Sequence, residues 1–127
     1  MAKRILLVED EDMIREMYQL ALSQAGFEVE SVADGQIAVE TLSQDSNFDI
    51  ILLDVMLPGL DGISVLKALR DQNLPAAQIP VFLLTNLGLE DLVKEALELG
   101  AKKYLIKSNV LPQQIIEEVN VFFQTAQ

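Results

Sequence analysis

The feature that most limits what this chain can fold into is a fivefold alternation of short apolar runs with longer stretches of helical periodicity. Ile5-Leu6-Leu7-Val8, Ile50-Ile51-Leu52-Leu53 and Val81-Phe82-Leu83-Leu84 are apolar throughout, as suits central strands covered on both faces. Phe27 to Val32 instead alternates apolar with polar, and Lys102 to Ile106 opens on two charges, so these two are expected at the sheet edges. Strand-helix alternation predicts a parallel sheet with helices on both sides. With 127 residues, half of them hydrophobic, and no linker-like, repeated or low-complexity tract, one α/β domain over residues 1–127 is expected.

The helices are bounded by recognisable signals. The first is expected to be capped near Asp12, to bury Ile14, Met17, Ala21 and Ala25, and to stop at Gly26, a residue suited to the left-handed position after a helix. A second spans roughly Gly35 to Gln44, and a third follows Asp61 as its cap. The fourth is expected to bury Leu89, Leu92, Val93, Ala96 and Leu97 and to end at Gly100. The last starts at Pro112, suited to a first helical turn, and buries Ile115, Val119, Phe122 and Phe123.

Composition narrows the chemistry. There is no cysteine and no histidine, which removes disulfides, thiol nucleophiles, Ser-His pairs and the usual zinc sites. Twenty acidic against nine basic side chains give a net charge of -11, which argues against direct binding to nucleic acid or an anionic membrane. No run approaches the roughly 18 apolar residues of a membrane span, and the opening residues do not form a signal peptide, so a cytoplasmic location is expected. Carboxylates are left as the reactive groups.

In open parallel sheets, ligands bind beyond the carboxyl ends of the strands, where the strand order reverses. The residues that follow the apolar runs are Glu9-Asp10, Asp54, Thr85-Asn86 and Lys107-Ser108, so all of them fall on one edge. In the flavodoxin-like doubly wound order 2-1-3-4-5, strands one and three are neighbours, and Glu9, Asp10 and Asp54 converge. Three converging carboxylates repel one another unless a hard divalent ion accepts their oxygens, and Mg²⁺ suits a site with few carboxylates and room for phosphate oxygens. An ammonium at Lys107 and a hydroxyl at Thr85 complete a cradle for a phosphoryl group. The plainer readings are a solvated acidic turn for Glu9 to Asp12 and a strand-terminating turn residue for Asp54.

The run Asp54-Val55-Met56-Leu57-Pro58-Gly59-Leu60-Asp61-Gly62 resembles the signature of bacterial response-regulator receiver domains. With Leu7-Val8-Glu9-Asp10, Leu84-Thr85 and Tyr104-Leu105-Ile106-Lys107, the resemblance covers essentially the whole chain in the family's order. It implies that Asp54 is the phosphorylated aspartate and that Glu9 and Asp10 are the acidic pair at the Mg²⁺ site, Asp10 as a direct ligand and the Met56 backbone carbonyl as another. It implies Thr85 as the switch hydroxyl, Tyr104 as the aromatic that turns inward on activation, and Lys107 as the partner of the phosphoryl group. It also implies a histidine kinase or histidine phosphotransfer protein as donor, and a changing face of fourth helix, fifth strand and fifth helix that meets a protein target or a second copy. No enzymatic activity is implied beyond the domain's own phosphorylation and dephosphorylation.

Two positions depart from the pattern: Ser108 follows the lysine where the family usually has proline, and Asn86 follows the switch hydroxyl where a small residue is usual. They are the support for an alternative, a pseudo-receiver that acts as an interaction module without phosphate. Related enzymes fit less well. A haloacid-dehalogenase-type phosphatase requires Asp-x-Asp-x-Thr after the first strand, flavodoxin-like cofactor binding requires a phosphate loop there, and neither is present.

Overall fold

The computed structural model describes residues 2–125; Met1, Ala126 and Gln127 of the domain expected over 1–127 lie outside the described residues. Five strands alternate with five helices: β1 (Arg4–Val8), α1 (Asp12–Gln24), β2 (Glu28–Val32), α2 (Gly35–Gln44), β3 (Ile50–Asp54), α3 (Gly62–Asp71), β4 (Val81–Thr85), α4 (Glu90–Glu98), β5 (Lys103–Ile106) and α5 (Pro112–Thr125). Short 3-10 turns occupy Pro75–Gln78 and Lys107–Asn109. The strands form one parallel sheet in the order β2-β1-β3-β4-β5, with the apolar runs central and the two charged segments at the edges.

Because successive strand residues point to opposite faces, each continuous apolar run supplies two cores. Leu6, Val8, Ile51, Leu53, Val81 and Leu83 pack on one face with side chains of α2, α3 and α4. Ile5, Leu7, Ile50, Leu52, Phe82 and Leu84 pack on the other with Tyr18, Leu22, Ile115 and Val119 of α1 and α5. Phe82 is fully buried and meets Phe122 edge-on, with ring centroids 5.3 Å apart. Burying such a ring contributes about 2–3 kcal/mol.

The structure corrects the expected faces of two helices. In α1 the residue before the helix is Glu11, which makes no side-chain cap bond, and Asp12 is already helical. Its buried residues are Tyr18 and Leu22, with Ile14 packed against them, whereas Met17 is 47% exposed and Ala25 is exposed. Apolar side chains cover a broad arc of this helix, so spacing alone does not fix the inward face; the packing of Tyr18 and Leu22 with the strand side chains selects it. In α4, Val93 and Ala96 are buried, Leu92 and the preceding Leu89 partly so, and Leu97 is exposed. The remaining boundaries are as expected: Asp34 and Asp61 cap α2 and α3 by accepting from the Ile37 and Ser64 amides, and Gly26 and Gly100 end α1 and α4 with positive φ.

Candidate functional site

Buried polar or charged side chains among the described residues are Glu9, Asp54 and Thr85, and all three stand at the carboxyl ends of β1, β3 and β4. Burying a carboxylate is costly without a partner. The partner is Lys107, immediately after β5, whose Nζ donates to Glu9 Oε1 at 2.9 Å and to Asp54 Oδ2 at 2.8 Å. The lysine side chain is itself only 7% exposed, so this is a buried ion-paired triad spanning three strands.

The remaining carboxylate oxygens are arranged differently. Glu9 Oε2 accepts from the Glu11 amide at 3.0 Å, so both oxygens of Glu9 are engaged within the protein. Asp54 Oδ1 accepts a longer bond from the Met56 amide at 3.3 Å. Asp10 is exposed and its carboxylate has no hydrogen-bond or ion-pair partner among the described residues. Glu9, Asp10 and Asp54 each present an oxygen within 4.8 Å of the others, a grouping able to hold a metal ion. Three carboxylates and one ammonium leave an excess of two negative charges, which one divalent cation would neutralise.

Burial also shifts how these groups titrate. Burial, reinforced by the charge of Glu9, pushes the Asp54 carboxyl up to about 7 even though Lys107 pulls the other way. For Lys107, burial alone would lower the value, but its hydrogen bonds to Asp54 and Glu9 outweigh it and hold the ammonium above the usual lysine range. Two carboxylates sharing one ammonium leave Asp54 short of positive charge.

Of the residues singled out in the sequence, the fold therefore brings Glu9, Asp10, Asp54 and Lys107 together. Thr85 lies on the same edge, fully buried, but its hydroxyl donates to the Asn86 carbonyl at 3.1 Å. Tyr104 is 46% exposed and borders a cavity of about 300 Å³ that Thr85, Leu87, Val93, Leu97 and Ile106 also line. Met56 follows Asp54 with its side chain half exposed. The Lys107–Ser108 peptide is trans, and the segment continues as a 3-10 turn, so serine after the lysine does not keep Nζ from reaching Asp54.

The structural roles of two residues were not read from sequence. Gly62 approaches the strand end so closely that a Cβ there would stand 2.5 Å from the Asp54 carbonyl oxygen, which fixes the path from β3 to α3. Arg15, in the first turns of α1, donates to the Glu9 carbonyl at 2.9 Å, to the Asp10 carbonyl at 3.4 Å and to the Asp12 carboxylate at 2.6 Å. Its spacing of three from Asp12 was the available signal.

The family model described as the response regulator receiver domain matches residues 5–120. The chain belongs to that family. Its relatives include the transcriptional regulatory protein SrrA of Staphylococcus aureus, 36% identical over 127 residues, which are all of this chain and 50% of that protein. The receiver thus spans about half the length of the curated relatives it matches. Among solved structures, the receiver domain of the Francisella response regulator 1452 superposes with a TM-score of 0.85 at 30% identity, covering 98% of this chain and 99% of that one. The chemotaxis protein CheY4 of Vibrio cholerae gives a TM-score of 0.83 at 30% identity, covering 94% and 98%. The receiver fold and its strand order are those expected from the sequence. No described helix is long and apolar enough to cross a membrane.

Proposed function

We propose that this receiver takes a phosphoryl group on Asp54 from a histidine kinase or histidine phosphotransfer protein in a Mg²⁺-dependent step. The observation that carries the reading is the buried Lys107 ammonium bonded to Asp54 and Glu9 beside the unpartnered Asp10. An Asp54 carboxylate oxygen attacks phosphorus in line, the phosphorus-nitrogen bond of the donor's phosphohistidine breaks, and the imidazole leaves and takes up a proton. Asp10 and Asp54, with Glu9 and the Met56 backbone carbonyl, would hold Mg²⁺, which when bound neutralises charge on the transferring group. Lys107 stays within reach of Asp54 Oδ2 and pairs with the phosphoryl oxygens once the acyl phosphate has formed.

In the same reading the Thr85 hydroxyl turns from the Asn86 carbonyl to the phosphoryl group, and Tyr104 moves inward toward the cavity beside it. That changes the face of α4, β5 and α5, where a downstream protein or a second copy binds. The exposed apolar stripe Met13, Met17 and Leu20 on α1, beside the acidic loop, suits a helical phosphodonor. The domain acts on itself rather than on a separate substrate, in the cytoplasm, as one unit over residues 1–127.

Incubation with acetyl phosphate and Mg²⁺ followed by intact-mass measurement tests the proposal. One phosphate is expected on the parent protein and none on Asp54→Asn. The absence of an adduct would favour the phosphate-independent interaction module instead.

A further inference from the structure

The β1–α1 connection concentrates four consecutive acids, Glu9-Asp10-Glu11-Asp12, and α1 begins without a side-chain cap. Like charges so placed push the loop open. What closes it is one guanidinium. Arg15 sends hydrogen bonds to the backbone carbonyls of Glu9 and Asp10 and to the Asp12 carboxylate, and its side chain is only 18% exposed. Two further bonds anchor the other side: the Glu9 amide donates to the Val32 carbonyl at 3.1 Å, and the Glu11 amide to Glu9 Oε2. Asp10 thus has its backbone held from one side, while its carboxylate stays unpartnered within reach of Glu9 and Asp54.

We propose that Arg15 is a positioning residue that clasps the acidic loop so that Asp10 is pre-set for a divalent cation. The inference rests on the Mg²⁺ site described above and adds to it a residue that touches neither metal nor phosphate. Pre-setting matters because Mg²⁺ demands near-octahedral oxygen geometry and sheds its waters reluctantly, so a ligand that must first be ordered binds it weakly. Arg15 reaches these oxygens from two nitrogens of one planar fork, whereas a lysine would have to reach them from a single nitrogen.

The sign of the effect separates positioning from simple electrostatics. A positive charge near the site repels Mg²⁺, so removing it should tighten binding if charge alone acted. A clasp requires the reverse. Mg²⁺ is titrated by calorimetry at constant ionic strength into the parent, Arg15→Met, Arg15→Lys and Asp10→Asn proteins, each checked for folding by urea denaturation. Hydrogen exchange at the Glu11 amide is measured in EDTA. Both Arg15 variants are expected to raise the Mg²⁺ dissociation constant at least about tenfold, to speed Glu11 exchange, and to leave the fold intact, while Asp10→Asn abolishes measurable binding. Unchanged or tighter Mg²⁺ binding by Arg15→Met, with binding lost in Asp10→Asn, overturns the clasp and leaves the metal site standing. Undiminished binding by Asp10→Asn overturns the metal reading itself. In that case Glu11 exchange still judges the clasp, and an unchanged rate in Arg15→Met refutes it.

Discussion

Lys107 Nζ lies 2.8 Å from Asp54 Oδ2, and both side chains are almost wholly withdrawn from water. The two residues are 53 positions apart in the chain, and their meeting depends on the order β3-β4-β5 across the sheet. The same ammonium holds Glu9, so one cation organises the ends of β1 and β3.

Removing that cation leaves two buried carboxylates facing each other. Lys107→Met is expected to destabilise the protein in EDTA by about 3 kcal/mol, as found when a buried pair loses one partner. Saturating Mg²⁺ should recover part of the loss. Urea midpoints with and without Mg²⁺ check this, and an undiminished midpoint in EDTA would contradict the buried triad.

The raised Asp54 value predicts a pH dependence of defined sign. A carboxyl that titrates near 7 in the fold, against 3.8 ordinarily, binds its proton more tightly folded than unfolded. Its contribution to stability is complete below about pH 4 and is lost as pH rises through about 7. Asp54→Asn removes this slope and keeps the Lys107–Glu9 pair, so in EDTA at pH 8 it should exceed the parent by on the order of 1–3 kcal/mol. The difference should shrink at acid pH. Chemical denaturation across this range measures it.

Inward movement of Tyr104 is open to a direct optical test, because the chain contains no tryptophan. Tyr104→Trp places a reporter on the half-exposed ring position beside the cavity lined by Thr85 and Val93. Acetyl phosphate with Mg²⁺ is expected to shift its emission to the blue. Emission that stays water-like while intact mass shows phosphate on Asp54 would rule the movement out.

Gly62 should tolerate no side chain. In Gly62→Ala the new carbon meets the Asp54 carbonyl oxygen, a backbone atom that cannot swing aside, and the connection carrying Met56 must shift. A loss of about 1–3 kcal/mol by urea denaturation is expected, together with weaker Mg²⁺ binding by calorimetry.

Much of the site was legible because parallel strands place their carboxyl ends on one edge. Once Ile5 to Val8 and Ile50 to Leu53 read as neighbouring strands, Glu9, Asp10 and Asp54 had to converge. The burial of α1 was not legible in the same way. Met13, Ile14, Met17, Tyr18, Leu20, Ala21 and Leu22 offer more than one apolar face, and only the packing of Tyr18 and Leu22 against β-strand side chains selected the inward one. Arg15 carried no signal beyond its spacing of three from Asp12, since its bonds to the Glu9 and Asp10 carbonyls depend on how the loop turns.

Three central strands, two edge strands, the edge on which the polar residues collect and the family they resemble were all readable in the chain, because hydrophobic periodicity and strand-helix alternation are local properties. Packing decided how the charges there are shared: that Glu9 gives both oxygens to protein donors, that Asp54 and Glu9 share one ammonium, and that the Asp10 carboxylate is left without a partner among the described residues. Which oxygen meets which donor depends on distances set by packing across three strands, and no local pattern carries that information.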